Sequence, residues 1–504
     1  MPRLVALPIF ENELGTLCVA EASRHTGFTP RRLYFITDVP AGGTRGVHAH
    51  KSLRQCMICF TGAVTVELEK AGSHFTFCLD RPDRGLLVPP GCWRIVRDFA
   101  PGTVLGVLAS EEYDESDYIG EHTDFLAWEA EAAANRDVPY LDPARSLAEF
   151  EGEIEAAISR VLRSGRYIGG AEVDGFERAF ADYCGVGHAV GAANGLDALT
   201  LALQARGIGR GDTVLLPANT FIATALAVSR VGAAPILVDV EEDTANIDPE
   251  AAAAALRPDT RALVPVHLYG HPADMDPLRA LAERHGLFLL EDAAQAHGAR
   301  YKGRPCGSLG DAAAFSFYPT KNLAALGDAG AVVSNDASLI GTVRMLGNYG
   351  AEERDDHRLQ GFNSRLDPLQ AAVLAARLTH LDAWNERRRA LAERYREGLG
   401  NVPGLSLPAA RPWATPVWHA FVIRVADGRR DALRSRLERS GIGTNIHYPK
   451  PIHLQPAYRE LNLPRGALPV AERLAADILS LPLDAFHSDG EIDRVIDRVR
   501  QFFE

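Results

Sequence analysis

A chain of 504 residues with 46% hydrophobic and 24% charged side chains has a globular balance and is too long for a single core, so two or three domains are expected. Its formal charge of -13, from 53 Lys and Arg against 66 Asp and Glu, is spread over both the first 137 residues and the remainder. It offers no basic face to nucleic acid or to an anionic membrane.

No basic start leads into a long apolar run, and no stretch of about eighteen apolar residues occurs, so a cytoplasmic location without a membrane span is expected. From residue 32 to residue 109 short apolar strands alternate with turn signals, at 32–36, 55–60, 62–68, 75–77, 85–91 and 104–108. This spacing predicts a β-sandwich or barrel, for which the jelly roll is a common solution. The seven cysteines suit reduced core residues rather than a disulfide frame. Cys56 and Cys59 form a C-x-x-C, but it falls inside an expected strand with no second pair, so packing is expected over zinc or redox chemistry.

The informative segment is 42–62, which carries Arg45-Gly46-Val47-His48-Ala49-His50 and then Gln55. It resembles the first motif of the cupins, in which two His and a Glu bind a metal. Gln55 stands at the Glu position, and Arg94, in Pro89-Pro90-Gly91-Cys92-Trp93-Arg94, stands where the last His ligand would be. Two neutral imidazoles are a thin ligand set and a fixed guanidinium opposes a cation, so no metal is expected. His48 and His50 share one face of a strand and can move protons near neutral pH; the bland alternative is a degenerate cupin that keeps them without chemistry. The segment 45–51, the Trp93 turn and Leu108-Ala109-Ser110-Glu111-Glu112-Tyr113-Asp114-Glu115-Ser116-Asp117-Tyr118-Ile119 are similar to the dTDP-4-keto-6-deoxyglucose 3,4-ketoisomerases, over nearly all of residues 1 to 126. That resemblance implies His48 and His50 as base and acid, Arg45 steadying an enediolate, and Tyr34 and Trp93 against the substrate.

After Phe125 the composition turns to Ala and Glu, and a boundary is placed near Asp137. Apolar spacing over 147–162 predicts a helix, followed by a Gly-rich loop at 164–170. Asn194-Gly195-Leu196-Asp197 opens an Ala/Leu helix, where free amides and the helix dipole suit a phosphate. Apolar runs at 213–217, 235–239 and 262–267 continue an α/β rhythm. The run 287–292 suits a buried parallel strand that delivers Asp292 to the crevice at its C-terminal end. Lys321 follows a second apolar strand, 312–317, and a turn opened by Pro319. Singly, Asp292 reads as a helix cap and Lys321 as a solvated lysine. Together and in this order they point to pyridoxal phosphate (PLP), with Asp292 keeping the pyridinium nitrogen protonated, Lys321 supplying the Schiff base and Ser316 reaching the phosphate.

At these residues the sequence resembles the DegT/DnrJ sugar-nucleotide aminotransferases, a branch of the fold-type-I PLP enzymes, over roughly the last three quarters of the chain. The resemblance implies a multidomain protein: an N-terminal all-β cupin jelly roll at 1–137, an α/β PLP-binding large domain at 138–395, and a smaller C-terminal α+β domain at 396–504 after the helical stretch 368–399. The family's Ser-Gly-Thr is here Asn194-Gly195-Leu196, so the amides of Gly195 and Leu196 carry the phosphate contact. Phe221 is implied to stack on the cofactor ring and Gln295 to meet its phenolic oxygen. Asn363, in Gly361-Phe362-Asn363-Ser364-Arg365-Leu366, is implied to cross from a partner subunit, hence a homodimer. Tyr318, Arg365, His447 and His453 are implied substrate contacts.

The two resemblances imply one chain that moves the ketone of dTDP-4-keto-6-deoxyglucose from C4 to C3 and then aminates C3 with PLP and L-glutamate. The product is a dTDP-3-amino-3,6-dideoxyhexose, galacto or gluco. One alternative is a cupin that only binds the nucleotide sugar; another is a PLP dehydratase, whose members carry His where this chain keeps Lys321.

Overall fold

The computed structural model describes residues 1–13, 15–135 and 137–504, and the chain divides into two compact units, Met1–Arg136 and Asp137–Glu504. Among the described residues of the first unit, two antiparallel five-stranded sheets form. One runs Arg3–Ala6, Arg84–Val88, Gln55–Thr61, Val104–Ala109, Arg32–Ile36. The other runs Tyr118–Ile119, Arg45–His50, Trp93–Arg97, Val64–Lys70, Ser73–Leu79. Alternate residues of both sheets, among them Met57, Cys59, Val66, Leu68, Val96 and Val107, meet in one buried cluster, as the two-residue strand period requires. Cys59 belongs to that cluster, whereas Cys56 packs with Leu7 and Ile58 in another, so the C-x-x-C thiols leave opposite faces of their strand.

Among the described residues of the second unit, a seven-stranded sheet runs His188–Ala192, Gly330–Ser334, Ala312–Ser316, Phe288–Asp292, Thr260–Leu263, Thr213–Pro217, Ala234–Val238. The last five pair in parallel, and Gly330–Ser334 is antiparallel to both its neighbours. Leu215, Leu263, Leu289 and Phe315 enter one hydrophobic cluster and Val214, Leu216, Leu290 and Ala314 another. Burial on both faces is why these strands read as unbroken apolar runs.

The single helix expected over 147–162 is two, Pro143–Glu149 and Glu151–Ser164. Phe150 between them leaves helical geometry, and its ring packs 4.3 Å from His380 and 5.4 Å from Trp384, so tertiary packing overrides local spacing. Likewise 368–399 is two helices, Pro368–Leu378 and Leu381–Leu399. Leu405–Ser406, Phe421–Val425 and Ile478–Leu481 form a small antiparallel sheet. Its core joins Phe421 and Ile423 to Tyr395, Leu433 and Val495 of the helices. No helix among the described residues is long and apolar enough to cross a membrane.

Candidate active sites

In the first unit, strand Arg45–His50 pairs with Trp93–Arg97, which sets Arg94 opposite His48, and with Tyr118–Ile119, which sets Tyr118 opposite His50. The Nε2 atoms of His48 and His50 stand 3.2 Å apart. Arg94 donates to His48 Nε2 at 2.6 Å and also to Gln55 Oε1. Gln55 Nε2 donates in turn to the Tyr34 hydroxyl at 2.9 Å. On the other side, His50 Nδ1 meets Asp117 Oδ2 at 3.0 Å, and Asp117 Oδ1 accepts from the amide and the hydroxyl of Ser52, each at 2.7 Å. Burial, with the Arg94 charge added, pulls His48 down to about 3. The same two causes pull His50 down to about 4, against the opposing pull of Asp117. Both rings are therefore neutral bases at pH 7.

His48, His50 and Tyr34 are gathered here, and Gln55 links Tyr34 to Arg94. Arg45 is exposed at the start of its strand; the guanidinium that reaches the imidazoles is that of Arg94. Trp93 is not brought to the pair. As the strand neighbour of Arg94 it faces the other way, buried with its ring 5.1 Å from His122 and 5.8 Å from Phe125. Asp117 and Tyr118 are the additions, the Tyr118 ring lying 4.8 Å from His48 and 4.3 Å from His50. Both stand in the segment 108–119, but only strand pairing shows what they touch.

In the second unit the parallel neighbours Phe288–Asp292 and Ala312–Ser316 end at Asp292 and Ser316. Asp292 is 5% exposed. Its Oδ2 accepts from Thr224 Oγ1 at 2.8 Å and its Oδ1 from the Ala294 amide at 3.2 Å. Burial pushes the carboxyl up, opposed by those hydrogen bonds and by the charge of Lys321. Lys321 sits in a turn closed by its amide donating to the Tyr318 carbonyl at 2.8 Å. Burial lowers its amine to about 8, with Asp292 opposing, which frees a nucleophilic lone pair far below the ordinary lysine range.

Helix Gly195–Ala205 begins against Ser316. A Cβ on Gly195 would lie 2.6 Å from Ser316 Cβ, and one on Gly330 2.5 Å from the Asn194 carbonyl, so both positions need glycine for the helix to close on the strand ends. Asn194 Oδ1 accepts from the Asp197 amide at 2.9 Å, leaving the amides of Gly195 and Leu196 without intrahelical partners, as first-turn amides are. Gln295 is buried, Oε1 accepting from the Tyr269 amide at 2.6 Å and Nε2 donating to the Tyr448 hydroxyl at 3.1 Å. The Tyr448 ring lies 5.5 Å from Phe221, itself 55% exposed. His447 Nδ1 meets Ser480 Oγ at 2.8 Å; burial, then the charge of Lys321, lowers this ring to about 4. Tyr318 is 51% exposed beside the lysine turn.

His453 is not brought to this group: its ring is buried and Nε2 meets Glu472 Oε1 at 3.0 Å, tying down helix Pro469–Asp477. Arg365 donates to Asn348 Oδ1 at 3.0 Å, and Asn363 is exposed. Between them Ser364 reaches the helix start, donating to Asp197 Oδ2 at 2.8 Å. Thr224 and Asn219 are additions, Asn219 being buried with Nδ2 unpartnered among the described residues. One group among the described residues has metal-ligating proximity, His267, Glu291 and Cys306, with donor atoms within 4.8 Å. Glu291 there already accepts from His267 Nε2 and from the amides of Gly307, Leu309 and Gly310. That saturated carboxylate fixes the strand preceding Asp292.

Residues 149–500 match the model of the DegT/DnrJ/EryC1/StrS aminotransferase family. The chain belongs to that family. Residues 2–130 match a second model, FdtA, described as WxcM-like, C-terminal, so the chain is a fusion of an FdtA-like, cupin-type domain with a DegT/DnrJ aminotransferase. A dTDP-3-amino-3,4,6-trideoxy-alpha-D-glucose transaminase of Streptomyces venezuelae is 54% identical over 367 residues, 73% of this chain and 96% of that protein. A dTDP-3-amino-3,6-dideoxy-alpha-D-galactopyranose transaminase of Aneurinibacillus thermoaerophilus is 46% identical over 365 residues, 72% of this chain and 99% of that protein. The crystal structure of S. venezuelae DesV superposes with a TM-score of 0.72 at 54% identity, covering 73% of this chain and 99% of that one. Bacillus subtilis NtdA with bound cofactor PMP superposes with a TM-score of 0.67 at 30% identity, covering 73% and 86%. DegT/DnrJ aminotransferases use PLP, and the residues here fit it: a buried carboxylate, a depressed lysine amine, and a helix start against Ser316 that any Cβ would fill.

Proposed function

We propose that the chain is a bifunctional nucleotide-sugar enzyme that isomerises dTDP-4-keto-6-deoxyglucose to the 3-keto sugar and transaminates C3 to give a dTDP-3-amino-3,6-dideoxyhexose. The observation that carries it is the presence in one chain of a neutral imidazole pair in a cupin-type unit and of Asp292 with Lys321 at the C-terminal ends of central strands of a DegT/DnrJ unit. The names of the transaminase relatives support the sugar class.

In the first centre His48 and His50 take the C3 proton and return one at C4, and Arg94, in place of the exposed Arg45, balances the enediolate charge. Tyr34 orients the sugar through Gln55. The reading needs no metal, because Arg94 engages the His48 nitrogen that an ion would take. In the second centre PLP, when bound, supplies the electron sink for the carbanion. Asp292 would keep its ring nitrogen protonated, Lys321 would hold it and move protons, and Ser316 with the amides of Gly195 and Leu196 would hold its phosphate. Gln295 meets the phenolic oxygen, Phe221 packs on the ring, and Tyr318 and His447 face the sugar. Asn363 and Arg365 act from a partner chain in a homodimer. L-glutamate is the donor, the cytoplasm the location, and 1–137, 138–395 and 396–504 the working domains.

Incubating the full chain with dTDP-4-keto-6-deoxyglucose, PLP and glutamate, and assigning the product by NMR, tests this. A 3-amino sugar is expected. Amination at C4, or no amine, overturns it.

A further inference from the structure

Each imidazole of the His48–His50 pair meets a group of fixed hydrogen-bonding sense, His48 at Nε2 and His50 at Nδ1. Arg94, 3% exposed, is donor-only and is aimed at His48 Nε2 at 2.6 Å, so that nitrogen presents its lone pair and the His48 proton sits on Nδ1. The Asp117 carboxylate is acceptor-only and lies 3.0 Å from His50 Nδ1, so the His50 proton also sits on Nδ1 and its Nε2 is bare. Asp117 cannot turn away, because the amide and hydroxyl of Ser52 hold its other oxygen, each at 2.7 Å. Arg94 already takes the single lone pair of His48 Nε2, so of the two nitrogens 3.2 Å apart it is His50 Nε2 whose lone pair stays free for a proton. The remaining neighbours are the Tyr118 ring, 4.8 and 4.3 Å away, and Arg32, whose charge also bears on His50.

We propose that Asp117 locks His50 in the tautomer that leaves its Nε2 bare, while Arg94 occupies the lone pair of His48 Nε2, so that His50 Nε2 is the nitrogen that takes and returns the proton, with Asp117 as a positioning residue of the isomerisation. This rests on the isomerase reading for its chemistry and on geometry alone for the tautomers. In the step, the C3–H bond breaks, its proton goes to His50 Nε2, its electrons form the C3–C4 double bond, and the C4 carbonyl electrons move onto O4. His50 Nε2 then delivers its proton to C4, while the hydroxyl proton of O3 passes to the neighbouring O4 as the C3 carbonyl forms. The sugar is neither oxidised nor reduced overall. Asp117 steadies the imidazolium that exists between the two transfers.

The test uses the full chain with 15N-labelled histidine, the ring signals assigned by difference from His48→Asn and His50→Asn. Wild type is expected to show protonated Nδ1 and bare Nε2 on both rings. In Asp117→Asn the amide oxygen takes the Ser52 contacts and the NH2 group faces His50 Nδ1, so His50 should switch to the Nε2–H form. Its isomerisation kcat should fall by roughly three orders of magnitude with KM within about twofold. Asp117→Glu should recover the tautomer and part of kcat, and unchanged amination of supplied 3-keto sugar reports on the fold of the remaining unit. A protonated Nε2 on either ring of the wild type overturns the proposal. So does an Asp117→Asn chain that switches tautomer yet keeps kcat within about tenfold. If the wild-type chain does not isomerise, the isomerase reading fails, while the ring spectra still decide the tautomers.

Discussion

Burial strips hydration from Lys321 and moves its amine to about 8, so the neutral form that attacks a carbonyl is available well below the ordinary lysine range. The rate at which the apo chain fixes PLP is expected to climb with pH and flatten above that value, read by absorbance, and Lys321→Ala should leave no cofactor fixed by borohydride. Asp292→Asn should keep part of the cofactor and lose transamination by roughly two orders of magnitude or more; turnover at the wild-type rate would remove Asp292 from its role. The imidazoles carry a second consequence. His48 and His50 titrate at about 3 and about 4 when folded, against an ordinary 6.5. Between pH 6.5 and 4 the unfolded chain binds protons that the folded chain refuses, so the first unit should lose stability as pH falls through that window. His50→Asn should flatten this slope in chemical denaturation followed at several pH values. Lys321 and Asp292 are legible in sequence because Asp292 closes an apolar strand and Lys321 follows another through the Pro319 turn. Arg94 is placed near the histidines by the cupin motif, but its bond to His48 and the reach of Asp117, 67 residues from His50, depend on strand pairing.

The apolar runs gave away the parallel strands because a sheet covered on both faces tolerates little else, and the alternating pattern of 32–109 gave away the antiparallel unit. Periodicity could not foresee Phe150, which leaves the helix to pack on His380 and Trp384. Nor could it settle which face Trp93 takes: a one-residue offset from Arg94 puts its ring in the cluster with Ala49, Ile119 and Phe125. His453 carries the same lesson, since a motif position next to a substrate loop proves to be a buried tie to Glu472. The start of helix Gly195–Ala205 is where an element and a site coincide. Gly195→Ala forces a carbon to 2.6 Å from Ser316 Cβ, and relief by backing the helix off should cost about 1–3 kcal/mol. PLP affinity should weaken in the corresponding proportion, measured by fluorescence titration. Asn194→Ala removes only the cap on Asp197 and should lower stability by about 1 kcal/mol, with a smaller change in cofactor binding.

At the scale of the molecule, the proposed function assigns the two chemistries to different groups on different folds: proton transfer to imidazoles in an antiparallel unit, and nitrogen transfer to a lysine that follows a central strand of a mixed sheet. Nothing in either mechanism requires a residue of the other unit, so the activities should separate by point substitution. His50→Asn should stop conversion of dTDP-4-keto-6-deoxyglucose, since the free Nε2 that exchanges the proton is lost, and should leave amination intact. Supplying a separate 3,4-ketoisomerase to that variant should restore 3-amino sugar, because the 3-keto sugar can diffuse to Lys321. Lys321→Ala should do the converse: isomerise the sugar, as NMR of the recovered sugar would show, while making no amine. The His50→Asn chain must first be shown to hold PLP and to fold at the wild-type midpoint. If external isomerase then fails to rescue it, the intermediate does not reach Lys321 from solution, and the two centres work as a coupled pair rather than as independent enzymes on one chain.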